Sequence, residues 1–529
     1  MKTTKKNSSA LIAGSSYGET LLCRKSATYW ERLTQYFAII ILTVFPLLMG
    51  FNGYLSITEG KYILFKIFAF LYIIAAALIV VGFFLDKKKW RARKTEGFQK
   101  WSLPQILITA FAVWGVICAI VSPYSGLWEG QSRYEGVLSM LLYTAVFVLV
   151  AFWGEYSELY LPALALMAVA QGVVGLMQLF GVNLIYPEGY DYSNTLFVGM
   201  VGNIDCMGGI VAVTVPALIC GFVLIENRWR YVMLGGASLL FAVEIYIDVD
   251  SGKLGLLAAL AVALPYLVTE RRHLKNTLYA GAALVMTFGL CKLIPISFAG
   301  YYTSVKLACA AMAAAVVMAV VAFLLGRRNE PLKLSAKTIR LGMFGLEALT
   351  AVAALIYLYG YSGSSTLLMN ARDVLHGHLA DEAGTYRGFV WKACLVLMKD
   401  APVFGCGPGA FMTVFEPYNR PEMGVVYDFA HNDFLQIGVC MGYVGLAIYV
   451  AFVVALAVRA FKYATRCPLV VIFASSAAGY LIHSFFGFSI AIVAPVFWVM
   501  AGLLEKLIRQ IPKNAVSGGP LAQTPTKSK

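Results

Sequence analysis

The sequence predicts an all-α polytopic membrane protein with about fourteen transmembrane helices and one long extracytoplasmic loop carrying a short amphipathic helix. Three observations carry this. Of 529 residues, 60% are hydrophobic and only 13% charged, with a mean hydropathy of +0.74, whereas soluble domains hold roughly 25% charged residues. Apolar runs of about 20 residues, enough to cross a hydrocarbon core, recur along almost the whole chain. The period-two alternation of a membrane barrel is missing. Backbone in lipid must satisfy its own hydrogen bonds, which leaves helix.

Taken in order, the chain opens with a polar, basic stretch over 1–33, a cytoplasmic tail. The first apolar run begins near Tyr36. It is too long for a signal-peptide core and lacks a small-residue cleavage site, so it reads as an uncleaved span. Spans are expected near 34–55, 62–85, 103–122, 135–154, 159–181, 204–225, 231–248, 253–268, 277–297, 305–325, 341–361, 434–458, 468–487 and 489–508. The positive-inside rule orients them. With the N-terminus inside, DKKKWRARK, NRWR, ERRH, GRRNEPLK and RAFKYATR share one side, which holds 31 of the 42 Lys and Arg residues. Both termini are then cytoplasmic. Eleven helices over 34–361 and three over 434–508 flank an extracytoplasmic loop at 362–433, and 509–529 is a disordered cytoplasmic tail.

The same distribution argues against a nucleic-acid partner, because the net charge of +14 gathers in the loops facing the inner membrane surface. The ten cysteines show no CxxC pair, so neither a zinc site nor a disulfide framework is signalled. Only Cys394 and Cys406 share the long loop. No metal or cofactor motif is visible, and neither is the internal symmetry of inverted-repeat transporters.

Eleven basic residues remain that orientation does not require: Lys61, Lys66, Arg133, Lys253, Lys292, Lys306, Arg372, Arg387, Lys392, Lys399 and Arg420. Charge at membrane depth normally faces a cavity or a partner. Lys61, Lys66 and Lys306 are expected to snorkel to the interface. Arg133, in SPYSGLWEGQSRYEG between Trp128 and Tyr134, is either an interfacial anchor or a cation facing a ligand. Segment 181–209 is rich in Tyr, Asn and Gly, and Asn203 is expected to cap the following helix. In DVDSGKLG, Lys253 either pairs with Asp248 and Asp250 or offers its charge to an anion.

The long loop concentrates the remaining chemistry. Thr385 is an expected N-cap; Val390, Trp391, Cys394, Leu395, Leu397 and Met398 keep helical spacing up to Asp400, and Pro402 forces a stop. Arg387 falls in the first turn, where the helix dipole disfavours a cation. An anionic partner follows, either Asp381 or Glu382 or a bound phosphate, which arginine matches bidentately. GCGPGAF, with Gly405, Gly407 and Gly409, is either a tight turn or a set of N–H groups for a phosphate. His431, in DFAHNDFLQIG, stands at the mouth of a span with polar neighbours on both sides. A neutral imidazole suits proton acceptance near neutral pH; the plainer reading is an interfacial histidine bonded to a neighbour. His376 and His378 lie earlier in the loop, His273 is cytoplasmic, and His483 lies within a span.

Together these residues resemble the O-antigen ligase and polymerase-like family of bacterial membrane glycosyltransferases, over about 250–450. The family pattern is an arginine followed by a tryptophan helix, here Arg387 and Trp391. A P-x-x-G-x-G-x-G-x-F turn follows, here Pro402, Gly405, Gly407, Gly409 and Phe411. Then comes H-N-x-x-L-Q-x-x-x-x-x-G-x-x-G-L, here His431, Asn432, Leu435, Gln436, Gly442, Gly445 and Leu446. GQSRYEG with Arg133, GLMQLFG and VGN fit more loosely. Where many relatives carry Ser-Arg-Gly, this chain has Ser251-Gly252-Lys253, which keeps the charge without the bidentate geometry.

The resemblance implies an enzyme of the bacterial inner membrane. It would transfer a glycan from an undecaprenyl-diphosphate donor to a glycan, lipid or wall-polymer hydroxyl on the extracytoplasmic face, with inversion and without metal or cofactor. Arg387, Lys253 and Arg133 would hold the diphosphate, His431 would be the base, and Asn432 and the three glycines would support them. Ligase and polymerase both remain open, as does the oligomeric state. The other readings are a lipid-linked oligosaccharide flippase, a peptidoglycan polymerase of the shape, elongation and division type, and a non-catalytic scaffold. A flippase would put charged or helix-breaking residues deep in several spans, whereas the polar residues here gather at the outer face.

Overall fold

The computed structural model describes residues 28–50, 53–85, 100–182, 185, 198–296, 301–328, 330–424 and 426–511. Most of both expected tails, the basic DKKKWRARK segment and residues 186–197 lie outside them. Among the described residues the protein is all-helical.

The first helix, α1, runs Tyr29–Ile39 behind a capping box in which Thr28 and Glu31 satisfy each other's backbone N–H. It continues through a π turn, Ile40–Val44, and stops at Leu47 just after Pro46. Helix ends leave carbonyls unpaired. Lys61 Nζ donates to those of Phe45 and Pro46 at 3.1 and 2.8 Å, and Gln171 Nε2 adds a bond to Pro46 at 2.7 Å. Lys61 is therefore fully buried rather than snorkelling, because a broken helix end gives its ammonium somewhere to donate. Lys66 pairs with Glu129 at 2.8 Å.

The helices that follow are α2 (Ile57–Leu85), α3 (Leu103–Val121), α4 (Val137–Trp153), α5 (Tyr160–Leu179), α6 (Ile204–Leu224), α7 (Arg230–Ile247), α8 (Asp250–Leu267), α9 (Arg271–Leu293), α10 (Val305–Gly326) and α11 (Ala336–Tyr359). Then come α12 (Thr366–Leu375), α13 (Arg387–Asp400), a short α14 (Phe411–Phe415), α15 (Asp433–Ala464), α16 (Pro468–Phe486) and α17 (Ala494–Gln510). Every expected span overlaps a helix, and 10 helices among the described residues are long and apolar enough to cross a membrane. The other four depart for visible reasons. Helix α1 is broken by its π turn, and α4 and α17 have 17 residues each. Helix α9 starts with Arg271, Arg272 and Lys275 in its first turns.

Helix α6 is the centre of the bundle, and its whole apolar window is buried. A helix apolar on every side has to be surrounded by others. Small residues let them approach: a Cβ on Gly255 would lie 2.5 Å from the Gly479 carbonyl oxygen, and one on Gly479 would lie 2.2 Å from that of Ala212. Thus α6, α8 and α16 meet backbone to backbone, the packing that substitutes for a hydrophobic drive in lipid. By contrast α11 buries none of its residues, leaving its apolar surface for lipid. The bundle gathers the α3–α4 loop, the turn before α6, the α7–α8 turn, the α11–α15 segment and the α16–α17 loop at one end.

Candidate active site

The site is built on a break in α15. Gly442 sits inside that helix at φ 68° and ψ −177°, a conformation that favours glycine. A Cβ there would fall 2.2 Å from the Val403 carbonyl oxygen. The break releases helical backbone groups, and the segment after α13 takes them up. Cys406 N–H donates to Val439 O at 2.9 Å, Gly407 N–H to Cys440 O at 2.8 Å, and Tyr443 N–H to Pro402 O at 2.8 Å. Trp114 Nε1 donates to Met441 O at 3.0 Å. A Cβ on Gly405 would lie 2.4 Å from Val439 O, so only glycine allows this approach. The N–H groups of Cys406 and Gly407 are engaged, and GCGPGAF here is a clamp on α15 rather than a phosphate cradle. Gly409 closes the other side, its carbonyl accepting from Gln131 N–H at 3.0 Å.

This clamp ties the α3–α4 loop to the approach to α15. Arg133 Nε lies 3.0 Å from both carboxylate oxygens of Asp428, and a second guanidinium nitrogen lies 2.8 Å from Oδ1. Ser132 Oγ donates to Asp428 O at 3.1 Å. The guanidinium also stacks 4.4 Å from the Phe488 ring, so the α16–α17 loop belongs to the same assembly.

Arg387 is the first residue of α13; Thr385 does not cap the helix, whose N-cap is Tyr386 at φ 64°. Thr385 and Tyr386 both have positive φ, so the backbone enters the helix by a left-handed turn. The partners of Arg387 are neither Asp381, which pairs with Lys392 at 2.7 Å, nor Glu382. One guanidinium nitrogen donates to Phe486 O at 2.8 Å, and another lies 3.7 Å from Asp205 Oδ1. Nε is buried without a partner among the described residues. This arginine is held in place while part of its donor capacity stays open.

His431 stands between these arginines, at φ 50°. Its Nδ1 is 3.0 Å from Phe429 O, so Nδ1 carries the proton and Nε2 the lone pair. The rings of Tyr427 and Phe488 meet it edge-on at 5.3 and 5.4 Å. Burial, then Arg133 and Arg387, push its pKa from 6.5 down to about 4. Asn432 follows as N-cap of α15, accepting from Leu435 N–H at 3.0 Å. Asp433 Oδ1 accepts from Ser489 N–H at 2.9 Å. Trp391 Nε1 donates to Ala430 O at 3.2 Å, and Gln436 Oε1 accepts from Ala430 N–H at 3.0 Å. Beneath lies a cavity of about 120 Å³, walled by Glu135, Tyr143, Phe429, Asp433, Gln436 and Trp498 among others.

The structure therefore brings Arg133, Arg387, His431, Asn432 and the three glycines into one assembly. Lys253 is held apart, its Nζ 3.0 Å from Asp248 and 2.6 Å from Asp250. Asn203 caps α6, accepting from Asp205 and Cys206 N–H. Cys394 and Cys406 are both free and buried. Sequence reasoning passed over Asp205, Asp428 and Phe488. Asp428 lies three residues before His431 and had a visible signal. Asp205 looks like an ordinary first-turn acid, and nothing in the sequence marks Phe486 O as the acceptor for Arg387.

Residues 291–450 match a family model described as O-Antigen ligase. The chain carries an O-antigen ligase-like region. The match supports, in general terms, a membrane glycosyltransferase of the O-antigen ligase and polymerase type with polysaccharide biosynthesis as its setting. The match spans under a third of the chain, from the end of α9 into α15. It contains Arg387, the glycine clamp and His431, whereas Arg133, Asp205 and Lys253 precede it. No curated protein matches the chain.

Proposed function

We propose that this O-antigen ligase-like protein transfers a glycan from an undecaprenyl-diphosphate carrier to an acceptor hydroxyl, inverting the anomeric centre without a metal. The observation that carries the proposal is a neutral histidine, its Nε2 without a hydrogen bond among the described residues, set beside two arginines. Nε2 of His431 takes the acceptor hydroxyl's proton as the oxygen attacks the anomeric carbon. The carbon–oxygen bond to the diphosphate breaks on the opposite face. Arg387, whose side chain is 23% exposed and makes only a long contact to Asp205, stabilises the charge growing on the leaving diphosphate. Arg133 is tied to Asp428, so it acts by adding positive field and by fixing the segment that bears His431. Lys253 would meet the diphosphate only by leaving its two aspartates, and we give it the lesser part of guiding the donor's headgroup. The cavity beside Phe429 and Asp433 leaves room for a reacting group. Asn432 and the glycines Gly405, Gly407 and Gly409 hold the backbone.

The proposal includes a topology: the bacterial inner membrane, fourteen spans, both termini cytoplasmic, and 362–433 outside as the catalytic loop. Purified protein mixed with a polyprenyl-diphosphate glycan and an acceptor tests the chemistry. His431→Ala, at normal abundance in the membrane, should abolish transfer. Unchanged transfer would rule out His431 as the base. Movement of the donor across vesicles without transfer would instead favour the flippase.

A further inference from the structure

At the end of the bundle opposite Arg387 lies a second, unassigned cavity of about 560 Å³. Helix α8 leads there from the site end, and its 18 residues cover about 27 Å. The walls come from three places. The α8–α9 turn and first turns of α9 supply Thr269, Glu270, Arg271, Arg272 and Lys275, the end of α10 supplies Leu325 and Gly326, and the following loop supplies Arg328 and Glu330. Four cations thus face two carboxylates. Arg272 pairs with Glu226, but Arg271, Lys275 and Arg328 have no ion partner among the described residues. The Nε atoms of Arg271 and Arg272 are buried without hydrogen bonds. Helix α9, 23 residues long, starts from Glu270 with no side-chain hydrogen bond to its first N–H groups, the Glu270 carboxylate lying instead 3.8 Å from His273 Nδ1, so those N–H groups remain available to an anion. The stem of Lys275 passes against Gly326, where a Cβ would meet its Cδ at 3.0 Å, and this brings Lys275 to the end of α10.

We propose that this cavity binds the phosphate of an anionic phospholipid headgroup. The preference for an anionic phosphate follows from the surplus of unpaired cations and the uncapped helix start. The lipid as its source follows from position. The cavity opens at the start of α9 and the end of α10, and its apolar wall of Pro331, Leu332 and Leu334 leads into α11, which buries none of its residues. Acyl chains can therefore lie along α10 and α11 while the phosphate enters the basic end. This site is independent of the transfer chemistry at the other end.

Native mass spectrometry and thermal unfolding of the full-length protein in detergent, with added phosphatidylglycerol, phosphatidylcholine or inorganic phosphate, test it. Phosphatidylglycerol should bind and raise the unfolding midpoint, phosphatidylcholine much less, and salt should weaken the effect. Lys275→Gln and Arg328→Gln should each weaken phosphatidylglycerol binding by about fivefold, with unfolding in phosphatidylcholine unchanged. Should a variant not fold, the salt dependence and lipid preference of the unaltered protein still decide. Equal response to both lipids, or full binding in the folded variants, overturns the site. An equal response to inorganic phosphate overturns the lipid as its source.

Discussion

If His431 is the base, the acid limb of kcat/KM should lie near pH 4, far below the 6.5 of an ordinary imidazole. The limb measures the free enzyme, so the charge of the bound donor does not enter. At pH 5 an imidazole titrating at about 4 is roughly nine-tenths neutral, whereas one titrating at 6.5 is only about one-thirtieth neutral. The folded site thus favours the neutral ring by roughly 3 kcal/mol. The same shift makes stability rise with pH between about 4 and 6.5, since the unfolded chain binds a proton that the folded site refuses. Transfer from a synthetic polyprenyl-diphosphate glycan, followed at low donor concentration across pH 4–8, measures the limb. Arg133→Gln removes one of the two cations that disfavour the imidazolium and should move the limb upward. A limb near 6.5 in the unaltered protein, or one that ignores Arg133→Gln, would refute the argument.

Gly442→Ala should destabilise the protein by about 3 kcal/mol or more, since it combines a positive φ with a 2.2 Å approach to Val403 O. Its unfolding midpoint would be compared with that of Gly438→Ala, whose added carbon meets only the flexible Met398 side chain. Arg387→Gln should lower kcat by roughly a hundredfold. Lys253→Gln, removing a cation already shared by two aspartates, should cost less than about tenfold, chiefly in KM. Reporter fusions after residues 400 and 462 should label opposite sides of the membrane, and labels on one side would overturn the proposed topology.

Much of the fold was legible because lipid leaves one choice of secondary structure. Apolar runs named the helices, and Pro402 marked the stop after Asp400. Burial around α1 was not legible. Lys61 becomes a core residue only because a π turn and Pro46 strand two carbonyls far from it in sequence. In the site, His431 and Arg387 could be read from order and spacing, but their partners could not. Asp205 reaches Arg387 from 182 positions away, and Asp428 reaches Arg133 from 295. Such pairs come from helix packing, on which local residue patterns carry little information.

The glycine run shows how the two levels connect. By motif it suggested phosphate binding, yet its N–H groups answer carbonyls that the break at Gly442 exposes. A buried carbonyl left unpaired costs about 1–3 kcal/mol, so neither the break nor the turn is stable alone. Together they give α15 a fixed bend at the mouth of the bundle, with His431, Asn432 and Asp433 at its upper end. The bend lets the α11–α15 segment bond directly to a helix embedded in lipid, so the base keeps its position without a separate soluble domain. Arg133, reaching over from the α3–α4 loop, then bonds to that segment at Asp428 and brings its charge to the histidine. On this view the glycines serve catalysis through backbone geometry, and replacing Gly405 should reduce kcat even when the donor still binds.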